Sequence, residues 1–333
     1  GNKNPTPHRS QREIIVRNHV PFTLADTLED NAQRFSDQAA YLLDGNSITH
    51  RQLLDRAKRI ASAAENSGLQ RQDRVGVLSM NNLAYGELMA ACQWSGLILS
   101  TVNFRLAGPE IAHIINDSTP SILFFEAQYS ELLAGLREQL PSIATYVCID
   151  GHVDWASDYE AFIATGQPEG SSFRAREEDI AALIYTSGTT GKPKGCILGQ
   201  REMRLGAQTM SVETRSGPND RILLVMPLFH IGAMAMGMGI HFRGGTVVLH
   251  RQFDPATLLK AVNDDGVSIL HLAPTLVQMV LDHPNLQDCD FSKLHTIVYS
   301  AAAMPLPLLK RGMDLLGPIF INLYGQTEVF SSG

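Results

Sequence analysis

An apolar stretch, Ile180-Ala181-Ala182-Leu183-Ile184, runs directly into Tyr185-Thr186-Ser187-Gly188-Thr189-Thr190-Gly191-Lys192-Pro193-Lys194-Gly195. The first part predicts a buried strand of an α/β protein. In the second, three glycines let the backbone turn sharply and bring its N–H groups close to an anion. Four hydroxyls add hydrogen-bonding groups, and Lys192 and Lys194 add positive charge. A strand ending in such a loop suits a polyphosphate. It is not a Walker A loop, because Pro193 follows Lys192 and no glycine stands five positions before Gly191.

Similar apolar runs recur along the chain, at Arg74–Met80, Ile122–Phe125, Tyr146–Ile149, Ile222–Met226, Thr246–Leu249, Ile269–Leu272, Thr296–Tyr299 and Phe320–Leu323. Helical patterns fit between them. Thr49 predicts an N-cap for a helix that stops at Gly68, and Asp254-Pro255 predicts the start of another that ends before Gly266. Tyr41–Leu43, Asp44-Gly45 and Ile48 predict a hairpin. This alternation predicts an α/β fold of mostly parallel sheets flanked by helices, plus a small β portion. The irregular, Gly/Ser/acid-rich segment from Gly151 to Arg176 places a soft boundary between residues 7–176 and 177–333.

Composition excludes several classes. A chain of 333 residues with 44% hydrophobic and 18% charged residues is a folded protein with room for a large core. Its net charge of −7 argues against non-specific nucleic-acid binding. Cys92, Cys148, Cys196 and Cys289 form no CxxC pair, so they predict no zinc site or disulfide framework and a cytoplasmic setting. Cys196, beside the loop, reads as a structural thiol. The uncharged segment from Ile222 to Ile240 is interrupted by Pro227, His230 and glycines, which makes it a core segment and not a membrane span. No HExxH or GxSxG pattern points to a metalloprotease or a serine hydrolase.

The loop resembles the phosphate-binding loop of the adenylate-forming enzymes, which include acyl-CoA synthetases, aryl-CoA ligases, luciferases and adenylation domains. Three further stretches resemble the same family in the same order: Pro227-Leu228-Phe229-His230-Ile231-Gly232, Ser300-Ala301-Ala302-Ala303-Met304-Pro305 and Tyr324-Gly325-Gln326-Thr327-Glu328. The resemblance implies two packed α/β subdomains, partly interleaved, with a cleft for nucleotide and acid. It implies ATP-dependent activation of a carboxylic acid to an acyl-adenylate, followed by transfer to CoA as a thioester. Thr186, Ser187, Gly188, Thr189, Thr190, Gly191, Lys192 and Lys194 would hold the β- and γ-phosphates. Glu328 would bind Mg²⁺, with Thr327 on a phosphate. Tyr324 would stack on adenine, with Ala301, Ala302 and Ala303 opposite and Gly325 and Gln326 beside it. His230 would lie beside the acid's carboxylate. Thr186, Lys194, Glu328 and His230 are thus the expected catalytic residues. If a helix follows His230, then His230, Met234 and Met238 share one face, and that stripe would line an acyl pocket with Ala233, Gly237 and Gly239 as small neighbours.

The match stops soon after Glu328. In the resembled family an aspartate for the ribose, a hinge and a small mobile C-terminal lid domain with the adenylation lysine follow, and none is assigned here. The expectation is therefore a large domain of a two-domain enzyme, inactive by itself. No acidic residue follows His230 closely, which favours a fatty or aromatic acid over an amino acid. Loading of a carrier protein and a non-catalytic acyl or nucleotide sensor are the alternatives. A homodimer is compatible with the sequence and not required by it.

Overall fold

The structure is a computed structural model and describes residues 22–186 and 191–330. Its strands in chain order are β1 (Ala39–Leu43), β2 (Asn46–Thr49), β3 (Arg74–Leu78), β4 (Ile98–Val102), β5 (Ile122–Phe125), β6 (Thr145–Cys148), β7 (Ser157–Asp158), β8 (Ile180–Thr186), β9 (Lys194–Gly199), β10 (Arg221–Leu224), β11 (Thr246–Leu249), β12 (Ile269–Leu272), β13 (Thr296–Tyr299) and β14 (Phe320–Asn322). Two seven-stranded sheets result, ordered β14-β13-β12-β10-β11-β1-β2 and β7-β6-β5-β3-β4-β8-β9. Every pairing is parallel except β1 with β2 and β8 with β9. The expected α/β class with mostly parallel sheets is what the chain adopts. Interleaving is built in: β1 and β2 join the sheet of β10–β14, and β8 and β9 extend the sheet of β3–β7.

The helices are α1 (Leu24–Arg34), α2 (His50–Asn66), α3 (Leu83–Ser95), α4 (Gly108–Ser118), α5 (Ser130–Leu136), α6 (Tyr159–Ala164), α7 (Gln200–Glu213), α8 (Ile231–Phe242), α9 (Pro255–Asp264), α10 (Pro274–Leu281) and α11 (Leu306–Leu316). Local signals place several of them. Thr49 accepts from the Gln52 N–H, and the Gln52 side chain accepts from the Thr49 N–H, a reciprocal cap that starts α2. Asp254 accepts from the Thr257 N–H and Pro255 opens α9. In the β1–β2 turn, Asp44 and Gly45 have φ of +49° and +77°, the left-handed geometry of a tight hairpin.

The layers follow from which faces are apolar. Helices α1, α2, α3, α7 and α8 contribute to one large core that also takes in side chains from both sheets. Helices α9, α10 and α11 cover the outer face of the β10–β14 sheet, and α4 and α5 cover the outer face of the β3–β7 sheet. Both parallel sheets are thus buried on two sides, which is why their strands read as continuous apolar runs. Such sheets bind ligands at the carboxyl ends of their strands.

Candidate active site

The loops following β10, β13 and β14, together with His271 of β12, enclose a cavity of about 440 Å³, lined by residues that include His230, Ser300, Ala301, Ala302, Ala303, Tyr324, Gly325 and Gln326. That volume lies in the range of small-molecule sites. Three of the four stretches singled out from the sequence therefore meet in one place. Tyr324 follows β14, is 68% exposed and stands at the cavity wall. Ala301 has φ of +73°, a left-handed conformation that an alanine rarely adopts, so this turn is held by its surroundings.

His230 is the N-cap of α8, and its Nδ1 accepts from the Gly232 N–H at 3.2 Å. With Nδ1 occupied as an acceptor, the neutral ring carries its proton on Nε2. His230 is an exposed residue at the cavity wall, and partial desolvation by the surrounding protein lowers its pKa below the usual histidine value.

The phosphate-loop motif forms the end of the β8–β9 hairpin. Thr186 pairs with Lys194 across the two strands, and Gly191 has φ of +102° with open space around its Cα. Lys192 and Lys194 are exposed. Ser187, Gly188, Thr189 and Thr190 lie outside the described residues. The Thr327–Val329 turn brings Glu328 back to this hairpin, where Cys196 faces both Glu328 and Thr186. Burial first, then the Glu328 carboxylate, push the Cys196 thiol up. Glu328 is exposed, and Thr327 is buried beneath the turn. Among the described residues no cluster of three or more His, Cys, Asp or Glu could hold a metal ion. A single exposed carboxylate still fits Mg²⁺, which takes few protein oxygens and completes its shell with phosphates and water.

The methionine stripe lies elsewhere. Met234 and Met238 are 0% and 4% exposed and belong to the central core, and neither lines the cavity. The wall of α8 that faces the cavity is instead Ile231, Gly232, Ala233 and Ala235, so of the expected small neighbours Ala233 alone borders it. Nor do Gly237 and Gly239 leave room for a ligand. A Cβ at Gly239 would stand 2.7 Å from Met210 Cβ of α7, and one at Gly237 would stand 3.4 Å from Leu224 of β10. These glycines let α8 pack closely against its neighbours. A helix apolar on all sides gives no periodicity from which to choose the ligand face. Two polar residues of the site, His271 and Ser300, carried no role in the sequence reading. His271 sits mid-strand in an apolar run, with no signal to separate it from a core histidine.

A sequence profile described as AMP-binding enzyme matches residues 28–332. The chain belongs to that family. Among curated proteins, the feruloyl-CoA synthase of Amycolatopsis sp is 32% identical over 289 residues, covering 85% of this chain and 55% of the relative. The fatty acid–[acyl-carrier-protein] ligase ScoC of Streptomyces coeruleorubidus is 30% identical over 312 residues, covering 92% of this chain and 58% of the relative. The chain thus spans rather more than half the length of these relatives. Among solved structures, the anthranilate CoA ligase AuaEII in complex with anthranoyl-AMP superposes with a TM-score of 0.86 at 23% identity, covering 94% of this chain and 61% of that one. The family resemblance stated from the four motifs is therefore borne out, as is the fold.

Proposed function

We propose that the protein containing this chain uses ATP to activate a fatty or aromatic carboxylic acid as an acyl-adenylate, and then transfers the acyl group to the thiol of CoA. The observation that carries this reading is the meeting of His230, the alanine turn and Tyr324–Gln326 around one cavity, with Glu328, two residues farther along the chain, beside Cys196 of the hairpin that also carries Thr186. A carboxylate is a poor electrophile, because its charge repels nucleophiles and oxide is a bad leaving group. Attack of its oxygen on the α-phosphorus of ATP forms a P–O bond, breaks the bond to pyrophosphate and leaves a mixed anhydride with a good leaving group. The protein's part in such a step is positioning and charge stabilisation. Tyr324 and Ala301–Ala303 would sandwich adenine. The hairpin amides and Lys194 would hold the phosphates that leave. His230 Nε2–H would donate to an oxygen of the acid. Mg²⁺ held by Glu328 would neutralise phosphate charge. Thiol attack on the acyl carbon would then release AMP.

The names of relatives support both an aromatic and a fatty acid, and they support a second acceptor, a carrier protein in the place of CoA. Acid-dependent exchange of pyrophosphate into ATP by the full-length protein, over a panel of both acid classes, tests the reading. Exchange with no acid would refute it. CoA or a carrier protein as acceptor is decided by which one accelerates AMP release.

The wall assigned to α8 gives a more local expectation. Substituting Ala235 by Phe fills space in the cavity, and overpacking acts locally. We expect the full-length variant to lose roughly tenfold or more in kcat/KM for its best bulky acid, a value in line with methylene-scale discrimination in apolar pockets. Its KM for ATP should stay within about twofold, because the adenine platform lies across the cavity. An unchanged acid profile would show that Ala235 faces packed protein.

A further inference from the structure

The cavity wall holds a polar pair to which the motifs assign no role. His271, on β12, is 1% exposed, and its Nε2 lies 2.8 Å from Ser300 Oγ just beyond β13. Its Cε1 lies 3.4 Å from where a Cβ on Gly232 would stand, and His230 Nδ1 lies 3.5 Å from the same point, so both rings border the start of α8. His271 Nδ1 is buried and has no hydrogen-bond partner among the described residues. Burial, and then the nearby His230, bring its pKa down to about 4, so the ring is neutral at pH 7 and carries one proton on one of two nitrogens.

Where that proton sits follows from the partners. On Nδ1 it would be a buried N–H with nothing to accept it. On Nε2 it meets Ser300 Oγ. Buried orphan donors are rarer than under-used acceptors, so Nε2 is the protonated nitrogen and donates to the serine. Ser300 Oγ is then an acceptor in that bond, and its own O–H has no acceptor among the described residues. Ser300 lines the cavity beside the alanine turn.

We infer that Ser300 donates a hydrogen bond to an acceptor oxygen carried by the acyl group of the substrate, such as an ether or keto oxygen, and that His271 is the positioning residue that turns the serine hydroxyl toward it. This inference rests on reading the cavity as the acid and adenylate site. It states what kind of acid the site selects. A pure hydrocarbon acid of equal shape would cover the Ser300 hydroxyl without offering it an acceptor, and sites built to hydrogen-bond a substrate discriminate strongly against analogues lacking the partner.

The test compares the full-length protein with its Ser300→Ala, His271→Leu and His271→Gln variants. Pyrophosphate exchange is measured with matched acids: cinnamate against its 2-, 3- and 4-methoxy derivatives, and octanoate against its keto derivatives. The wild type is expected to prefer at least one oxygen-bearing acid over its parent. S300A and H271L should each lower kcat/KM for that acid roughly tenfold, with less than about threefold effect on the parent. The double variant should lose no more than either single one, since both changes remove the same bond. H271Q, whose amide N–H can replace Nε2–H, should restore most of the preference. A wild type that prefers the hydrocarbon member of every pair would overturn the inference while leaving the adenylation reading intact. So would variants that lower both members of a pair alike, which would mean that Ser300 serves the shared part of the ligand or the fold. Exchange with none of these acids would instead remove the reading on which the inference stands, and the inference would fall with it.

Discussion

Acid-dependent exchange of pyrophosphate into ATP should fall by about a hundredfold or more when Lys194 becomes Ala, or Glu328 becomes Gln, in the full-length protein. The size follows from removing one preorganised charged contact to a reacting phosphate, a loss typically of two to three orders of magnitude. Both side chains are exposed, and neither belongs to the apolar cores. Their loss leaves no cavity, so the thermal unfolding midpoint should move by no more than surface substitutions usually cause. The two effects also differ in kind. Lys194 is placed across the hairpin from Thr186 and would act on phosphate charge directly. Glu328 would act through Mg²⁺, so only the E328Q enzyme should regain part of its rate as Mg²⁺ is raised. Wild-type exchange in either variant would remove the hairpin from the catalytic machinery. A collapsed unfolding midpoint would mean that these residues hold the fold.

Much of the fold is legible in the sequence, for physical reasons. Both parallel sheets are buried on two faces, so β5, β11, β12 and β13 appear as short continuous apolar runs with the bounds the residues suggest. Three strands were not legible: the two-residue β7 (Ser157–Asp158) lies inside the segment that reads as irregular, and β4 and β9 are hidden for other reasons. Strand β4 (Ile98–Val102) carries Ser100 and Thr101 in a fully buried position, and only Gly96, at φ +83°, and Leu97 separate it from α3. Strand β9 (Lys194–Gly199) begins in the lysine and glycine of the phosphate motif and reads as loop. The site divides in the same way. Loop motifs with unusual glycine, hydroxyl and lysine content are visible because no packing requirement produces them. His271, Ser300 and the choice of ligand face on α8 depend on which buried side meets a cavity, and that is settled only by tertiary packing. Cys196 is intermediate: its place beside the loop was visible, but its approach to Glu328, more than a hundred residues away, was not.

Acidification from pH 6.5 to 4.5 should cost the folded protein several kcal/mol, before most carboxylates begin to protonate. Burial, and then the nearby His50, bring His241 down to about 3, while burial and His230 bring His271 down to about 4. His241 Nε2 donates to the Ala40 carbonyl at 2.9 Å, and its ring lies 5.3 Å from that of His50, whose Nε2 faces the carbonyls of Gly244 and Gly245. Each ring is satisfied as a neutral donor, and a second proton would place a charge in the core with no carboxylate bonded to it. In the unfolded chain both histidines titrate near the ordinary value, about 6.5. The sign follows: below that pH the unfolded state binds protons that the folded state refuses. The stability held at neutral pH is therefore lost as pH falls from about 6.5 toward the folded values. At pH 4.5 the linkage comes to about 2–3 kcal/mol for each of the two histidines, against a total stability of about 5–15 kcal/mol for a typical domain. Urea unfolding of the full-length protein at several pH values gives the measurement. His241→Gln, which keeps an N–H for Ala40, should be less stable than wild type at pH 7.5 yet lose less on acidification. A wild-type curve flat between pH 6.5 and 4.5, or a variant with the same slope, would show that these rings are not held neutral by the fold.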